Sequence, residues 1–163
     1  MKKILLTILL LIGANAHAID LRGRLGVGAS NQLANDLPAL SLKLQQSKSF
    51  ALGGLLGLKS DQDHTLYGVG LKFYRIIFDE PLLNFYLSGL FATQSYWDED
   101  KDKTKTGFQV DATLGSEFHF QGIESLGFSL EFGFSARDVG KSEGTSFETL
   151  GDNFIKAAIH FYL

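Results

Sequence analysis

Residues 154–163 have the sequence FIKAAIHFYL, in which apolar side chains recur at every second position, as in a β-strand. One face of this strand carries Ile155, Ala157, Ile159, Phe161 and Leu163, and the other carries Phe154, Lys156, Ala158, His160 and Tyr162. In a soluble protein a free edge of this kind pairs with other chains unless another strand covers it. A closed barrel removes the edge, because its last strand pairs with its first. The segment therefore predicts a closed β-barrel.

The same alternation recurs along the chain and predicts eight strands. They are residues 19–30, 39–45, 50–59, 65–74, 82–96, 107–120, 126–135 and 154–163. Residues 75–78 lose the alternation, and Asp79-Glu80-Pro81 predicts a turn. No helical period of 3.6 residues competes, and the 14 Phe and 18 Gly favour an all-β barrel or sandwich. We therefore predict an eight-stranded antiparallel up-and-down barrel.

Residues 1–18 are typical of a secretory signal peptide. Two lysines at positions 2 and 3 precede an apolar stretch over residues 4–12, and an A-x-A cleavage site occupies residues 16–18. The apolar stretch is shorter than the ~20 residues that a membrane-spanning helix needs. The barrel domain is therefore expected to be residues 19–163 and to be exported. The chain contains no cysteine, which excludes disulfides and a lipid-modified N-terminal cysteine.

The charge balance argues against nucleic acid as a partner. The formal net charge is −3, removal of residues 1–18 makes it more acidic, and no basic stripe is visible. The Gly-x-Gly pairs at Gly26/Gly28 and Gly68/Gly70 are not followed by a helix, so a nucleotide-binding loop is not predicted.

The composition of the two strand faces decides between a membrane barrel and a soluble, lipocalin-like barrel. A soluble barrel has an outer face rich in Lys and Glu, whereas here the less apolar face is largely Gly, Ser, Thr and Ala with isolated charges. That composition suits the narrow interior of an eight-stranded barrel. The other face is nearly free of charge, as contact with lipid requires. We therefore predict a transmembrane barrel with its apolar face outward.

Aromatic residues and loop lengths support this orientation. Seven outward aromatics fall at the height of one membrane interface, namely Phe50, Phe73, Phe85, Phe118, Phe120, Phe128 and Phe161. An opposite group comprises Tyr67, Phe91, Phe108, Phe134 and Trp97. With both termini in the periplasm, the polar loops at 97–106 and 138–149 lie on the outer side.

The chain resembles the small eight-stranded outer-membrane proteins typified by OmpX and the membrane domain of OmpA. The resemblance is one of architecture and covers the whole of residues 19–163. It implies a monomer in the bacterial outer membrane, in contact with lipid and lipopolysaccharide. It also implies that the last strand is read by the outer-membrane assembly machinery. Ile159, Phe161 and Leu163 match the positions of that signal, with Leu163 standing where Phe or Trp is usual.

Charged residues on the less apolar faces predict an ion-pair network inside the barrel. The side chains expected to point inward are Asp20, Arg22, Arg24, Lys43, Lys59, Lys72, Asp111, Glu117, Glu131, Lys156 and His160. Buried charges persist only when they are paired, so the interpretation is a structural network that fills the lumen. The alternative is a narrow gated channel, in which a pair such as Arg24 and Glu131 opens. Eight strands leave too little room for a general porin.

Enzymatic activity and metal binding find little support. Some small outer-membrane barrels modify lipid A, and Ser60 and the loop Asp61-Gln62-Asp63-His64 gather a hydroxyl, carboxylates and an imidazole. A solvated turn explains these residues more simply. Asp98, Asp100 and Asp102 match the first ligands of a calcium loop, but Lys103 and Gln109 replace its required Gly and Glu. We therefore expect no metal, no cofactor and a non-enzymatic role, with a lipid A-modifying enzyme as the alternative. The predicted role is envelope structure, or surface contacts through loops 97–106 and 138–149.

Overall fold

The chain forms a closed antiparallel β-barrel. The computed structural model describes residues 20–35, 37–60, 65–98, 102–138, 145–149 and 155–163. The predicted signal peptide (residues 1–18) lies outside the described residues. The strands are β1 (Leu25–Ser30), β2 (Ala39–Ser47), β3 (Phe50–Ser60), β4 (Thr65–Glu80), β5 (Leu83–Asp98), β6 (Lys103–Phe120), β7 (Ile123–Arg137), β8 (Ser146–Glu148) and β9 (Lys156–Tyr162).

Strands β1 to β7 each pair with the next strand along the chain, and β9 closes the ring by pairing with β1 and β7. The sheet order is β6-β5-β4-β3-β2-β1-β9-β7-β8, with an additional β6–β7 pairing. Both β8 and β9 pair with β7, so they are two segments of the eighth barrel strand. The seam between β1 and β9 aligns Gly28 with His160. The predicted eight-stranded up-and-down barrel with its last strand paired to its first is confirmed.

The two ends of the barrel differ in their connections. Two-residue turns at 48–49, 81–82 and 121–122 lie at one end, together with the beginning of β1 and the end of β9. We call this the turn end and the opposite one the loop end. At the loop end, the β1–β2 connection spans residues 31–38. No helix in the described part of the chain is long and apolar enough to cross a membrane.

Several strand boundaries differ from the prediction, and two of the differences have a local backbone cause. The first strand begins at Leu25 rather than at residue 19, because a turn precedes it in which Gly23 adopts a positive φ of 75°. The N–H of Gly23 donates to the carbonyl of Gln45. The fourth strand continues to Glu80 instead of ending at residue 74. A register irregularity between Ile76 and Phe78 shifts the side-chain alternation there, which explains why the period is lost in the sequence.

The loops predicted at 97–106 and 138–149 are partly strand. β5 and β6 extend the barrel wall to Asp98 and from Lys103, and β8 adds a short paired segment to β7. The described part of this region therefore projects as a continuation of the sheet at the loop end.

The outward face of the barrel is apolar. Exposed hydrophobic side chains include Leu40, Leu56, Tyr67, Leu71, Phe91, Phe108, Phe132, Phe134, Ile159 and Phe161. At the turn end Phe118, Phe120 and Phe128 contact one another, with ring centroids 5.6–5.8 Å apart. Arg75 is a charged exception on the outer face of β4, and its guanidinium donates to Ser49 Oγ in the β2–β3 turn. Its charge is thereby held toward the turn end.

Candidate functional site

The centre of the lumen is built around the carboxylate of Glu131 on β7. Lys72 on β4 donates to both carboxylate oxygens at 2.6–2.7 Å, and the two side chains are 2% or less exposed. Other donors surround the same carboxylate: Gln32 Nε2 at 2.9 Å, Tyr86 OH at 2.9 Å, Thr113 Oγ1 at 2.8 Å and Ser88 Oγ at 3.2 Å. A buried charge with this many partners is compensated by both charge and hydrogen bonds.

A second pair, Lys43 on β2 and Glu117 on β6, lies toward the turn end. Its N–O distance is 2.7 Å, and both side chains are buried. Tyr162 OH donates to the other oxygen of Glu117 at 2.7 Å. Lys43 Nζ also lies over the rings of Tyr74 and Tyr86, at 4.6 and 5.1 Å from their centroids. Favourable cation–ring contacts therefore supplement the ion pair.

His160 on β9 lies next to the Lys43–Glu117 pair. Its Nε2 is 2.8 Å from Ser41 Oγ, and its Nδ1 is 3.8 Å from an oxygen of Glu117. Toward the loop end, Asp111 accepts hydrogen bonds from Gln109 Nε2 at 2.7 Å and Ser135 Oγ at 2.6 Å.

Opposite charges are equal in number in the lumen. Among the described residues, the buried charged side chains are Lys43, Lys72, Lys156, Asp111, Glu117 and Glu131. Three lysines thus face three carboxylates. The barrel wall brings them together because they occupy inward positions of β2, β4, β6, β7 and β9.

Four residues predicted to point into the lumen lie elsewhere. Asp20 and Arg22 precede β1, are more than half exposed and pair with each other, the guanidinium Nε donating to Asp20 at 2.8 Å. This partner holds the pKa of Asp20 well below its usual range. Lys59 is exposed near the loop end of β3. Arg24 lies at the turn end, where it donates to the carbonyl of Tyr162 at 2.8 Å.

The positions of Arg24 and Glu131 correct the gate suggested by the sequence. Glu131 is paired with Lys72 in the lumen, while Arg24 binds Ser125 Oγ and backbone carbonyls of the last two residues. Arg24 immediately precedes β1, and its hydrogen bonds hold the guanidinium at the turn end, away from the Lys72–Glu131 pair. These two residues therefore do not form a pair in this structure.

Packed side chains occupy the lumen on both sides of the charges. At the turn end Ala51, Tyr74, Ile76 and Tyr86 form a buried cluster, with the two tyrosine rings 5.3 Å apart and edge-to-face. A cavity of about 240 Å³ opens at that end, lined by Asp20, Leu21, Arg22, Gln45, Lys48, Ile76, Asp79 and Asn84. Neither buried ion pair contributes to its lining. At the loop end a cluster of leucines and alanines fills the lumen.

Sequence reasoning missed the contribution of the segment between β1 and β2. The predicted strands leave residues 31–38 as a connection between the first two, yet Gln32, Leu33, Ala34 and Leu37 are buried inside the barrel. The available signal was composition, since this short polar loop carries two leucines. A second signal was Leu55, an apolar residue on an inward face that is otherwise small or polar, because it packs against those leucines.

The other candidate sites are only partly described. His64 and its neighbours 61–63 lie outside the described residues, and Ser60 Oγ is 3.2 Å from Thr65 Oγ1. Asp100 is likewise outside, while Asp98 forms an ion pair with Lys105. No group of metal-ligating side chains occurs within the described ranges.

The three residues assigned to the assembly signal lie at the barrel surface. The side chains of Ile159, Phe161 and Leu163 are 37, 52 and 68% exposed and point outward. Their recognition by an assembly machinery stays a prediction.

Comparison with known proteins supports the fold. No protein-family model and no curated protein matches the chain. Among solved structures, the N-terminal β-barrel domain of Pseudomonas aeruginosa OprF is similar, with a TM-score of 0.57 and 16% sequence identity. The match covers 87% of this chain and 98% of that domain. At this level of identity the likeness shows the fold alone. The chain therefore has the architecture predicted from its resemblance to small eight-stranded barrels.

Proposed function

We propose that the chain is a monomeric integral protein of the bacterial outer membrane with a closed interior and a non-enzymatic role. That role is envelope structure, or surface contact through the loop end. The observation that carries the proposal is the distribution of polarity across the barrel wall. Ion pairs and hydrogen-bonded polar groups lie inside, while Leu, Phe and Ile side chains are exposed outside. This arrangement is the reverse of a soluble protein and matches a lipid-facing barrel.

Several features of the outer wall support contact with lipid. Large apolar side chains on β4, β5 and β7 are more than half exposed, among them Leu71, Phe91 and Phe134. Extensive apolar exposure of this kind is uncommon on soluble monomers. The outward Arg75 is bound to Ser49 at the turn end, as expected for a cationic side chain reaching toward an interface. Predicted export by residues 1–18 and a last strand suited to the assembly machinery are consistent with an outer-membrane location.

The packed interior supports a structural role over conduction. Both ion pairs are buried and each carboxylate binds several donors. Two buried tyrosines pack on the turn-end side of these pairs, and a cluster of leucines and alanines packs on the loop-end side. Ion passage would require breaking these contacts, and an eight-stranded wall leaves little space to rearrange them.

The loop end offers the surface for contacts outside the membrane. The β5–β6 hairpin projects there, with Tyr96, Trp97 and Asp98 partly exposed and Lys103 exposed. We propose that this hairpin meets lipopolysaccharide or other surface molecules.

The substitution Leu71→Lys is expected to destabilise the folded barrel by about 2–4 kcal/mol in lipid. Leu71 points outward between Val69 and Phe73 and is 63% exposed, so the ammonium group would lie in hydrocarbon. Urea titration of the barrel in lipid vesicles, followed by its altered electrophoretic mobility without boiling, measures the change.

Ile123→Lys is the matched control, because this exposed residue follows the turn at 121–122, near the expected interface. This substitution should lower the free energy of unfolding by no more than about 1 kcal/mol. In a soluble barrel both substitutions would change stability by less than about 0.5 kcal/mol. Equal and small effects, with a mature chain monomeric in plain buffer, would contradict the membrane proposal.

In planar lipid bilayers the purified barrel is expected to show no single-channel conductance. The physical reason is the filled lumen, in which Lys72, Glu131 and Tyr86 are hydrogen-bonded across the section. A porin reconstituted in the same bilayers serves as the positive control. Conductance steps that change in size in a Glu131→Gln variant would show that ions pass through this lumen, contrary to the proposal.

A further inference from the structure

Residues 31–35 and 37–38, the described part of the β1–β2 connection, form an internal plug at the loop end. Instead of crossing over the rim, the described part of this segment turns inward, and Gln32, Leu33, Ala34 and Leu37 are 0–3% exposed. A turn within the segment is closed by the N–H of Leu37 bonding to the carbonyl of Ala34 at 3.3 Å. From Gln32 onward, its contacts with the barrel wall are side-chain packing and hydrogen bonds in which at least one partner is a side chain.

The wall opposite the plug forms an apolar chamber. Leu33 and Leu37 cluster with Ala39, Leu55, Leu90, Ala92 and the partly buried Leu66. Gly57 and Gly68 are paired across β3 and β4, and a Cβ at either would approach the plug leucines to 2.8–3.0 Å. The two facing glycines leave a recess in the wall. The side chains of Leu33 and Leu37 occupy this recess, which any larger residue at position 57 or 68 would fill.

Polar groups hold the plug at specific points. Gln32 Nε2 donates to Glu131, and Gln32 Oε1 accepts from Lys72 Nζ at 2.6 Å. Gln109 Oε1 accepts from the N–H of Ala34 at 2.8 Å, and its Nε2 donates to the carbonyl of Gln32 at 3.0 Å. The chamber therefore recognises both a carboxamide side chain and a peptide backbone.

One buried polar side chain in the same region has no hydrogen-bond partner among the described residues. Gln94 on β5 is 1% exposed, and neither its Nε2 nor its Oε1 has a hydrogen-bond partner among the described residues. Its Cβ lies beside the position that a Cβ on Gly68 would take, at 3.2 Å, next to the plug leucines. Buried amides without partners are uncommon in folded proteins. The plug thus leaves hydrogen-bonding capacity unused in the chamber wall.

We infer that the loop-end chamber is a binding site whose occupant in this structure is the plug, through Gln32, Leu33, Ala34 and Leu37. A peptide-like ligand that combines a carboxamide with branched apolar side chains can exchange with them. Exchange opens a blind chamber rather than a pore, because the tyrosine cluster still fills the turn end. This inference goes beyond the proposed envelope role and holds for the folded barrel in detergent or lipid alike.

Single-cysteine labelling tests the exchange directly, since the chain has no native cysteine. Leu55→Cys places a thiol in the chamber wall beneath the plug. With the native plug, a water-soluble maleimide should label it slowly. Adding Leu33→Ser and Leu37→Ser should speed labelling at least about tenfold, because the segment then spends more time displaced. An acetylated peptide of sequence NQLANDLP should slow it again, whereas NQSANDSP should not.

Ala51→Cys is the matched control. Ala51 is equally buried on the same strand but belongs to the turn-end cluster, so its labelling should stay slow in every background. Unchanged labelling of Leu55→Cys in a weakened plug that still folds, judged by mobility without boiling, would overturn the inference. So would fast labelling that the NQLANDLP peptide does not slow. If the double serine variant fails to fold, Leu33→Ala alone provides the same comparison.

Discussion

Replacing Glu131 by alanine is expected to lower the free energy of unfolding by about 3–5 kcal/mol, which is typical of a buried ion pair that loses one partner. The substitution leaves the ammonium group of Lys72 buried without its carboxylate. It also removes the acceptor of hydrogen bonds from Gln32, Tyr86 and Thr113. Urea titration in lipid vesicles measures the loss.

The double variant Glu131→Gln/Lys72→Met separates the ion pair from the packing. Removing both charges leaves no uncompensated ion, so this variant should be more stable than Glu131→Ala. Glu80→Ala is the surface control, because Glu80 is exposed at the turn end of β4. It should change stability by less than about 0.5 kcal/mol. A Glu131→Ala variant as stable as Glu80→Ala would show that the central carboxylate does not hold the barrel together.

Replacing Gly28 by alanine is expected to destabilise the closed barrel by more than about 3 kcal/mol, the upper range for added atoms in a packed core. A Cβ at this position would lie 1.6 Å from the carbonyl oxygen of Ile159 and 2.6 Å from its carbonyl carbon. Both are backbone atoms of β9, where it pairs with β1 to close the ring. Backbone cannot give way as a side-chain tip does, so the seam must open. The folded fraction, read from electrophoretic mobility without boiling, should fall sharply.

Two other glycines provide matched controls for that effect. A Cβ at Gly54 meets no atom within 4 Å, and one at Gly89 approaches only the carbonyl oxygen of Asp111, at 3.8 Å. Both lie within strands of the same barrel. Gly54→Ala and Gly89→Ala should therefore fold as the parent does. If all three alanine variants folded equally, closure of the barrel would not depend on close approach at Gly28.

Regular strand positions were predictable because alternate residues of a strand face the lumen and the outside, so their polarity alternates along the sequence. A period of two separates residues such as Phe108 and Val110 from Gln109 and Asp111, and β6 indeed alternates in burial along these positions. Local departures from regular strand geometry were harder to predict from the sequence. The turn at Gly23 and the irregularity between Ile76 and Phe78 depend on pairing with Gln45 and with β5, which no short window of sequence contains.

The lumen shows the same division between local and long-range information. Alternation was enough to expect Lys43, Lys72, Glu117 and Glu131 on the less apolar face. It did not say that Lys72 pairs with Glu131, 59 positions away along the chain. Nor did it indicate that Gln32 bonds to that pair from a connecting segment.

The amino-acid sequence was enough to predict eight barrel strands, the apolar face of most of them and the pairing of the last strand with the first. These follow from side-chain alternation and from the need to cover a free edge. The sequence did not indicate which charges meet, that Asp20 and Arg22 stay outside, or that Leu33 and Leu37 pack inside the loop end. The reason is that such contacts depend on the register and curvature of all eight barrel strands together, and closure of the ring sets both at once.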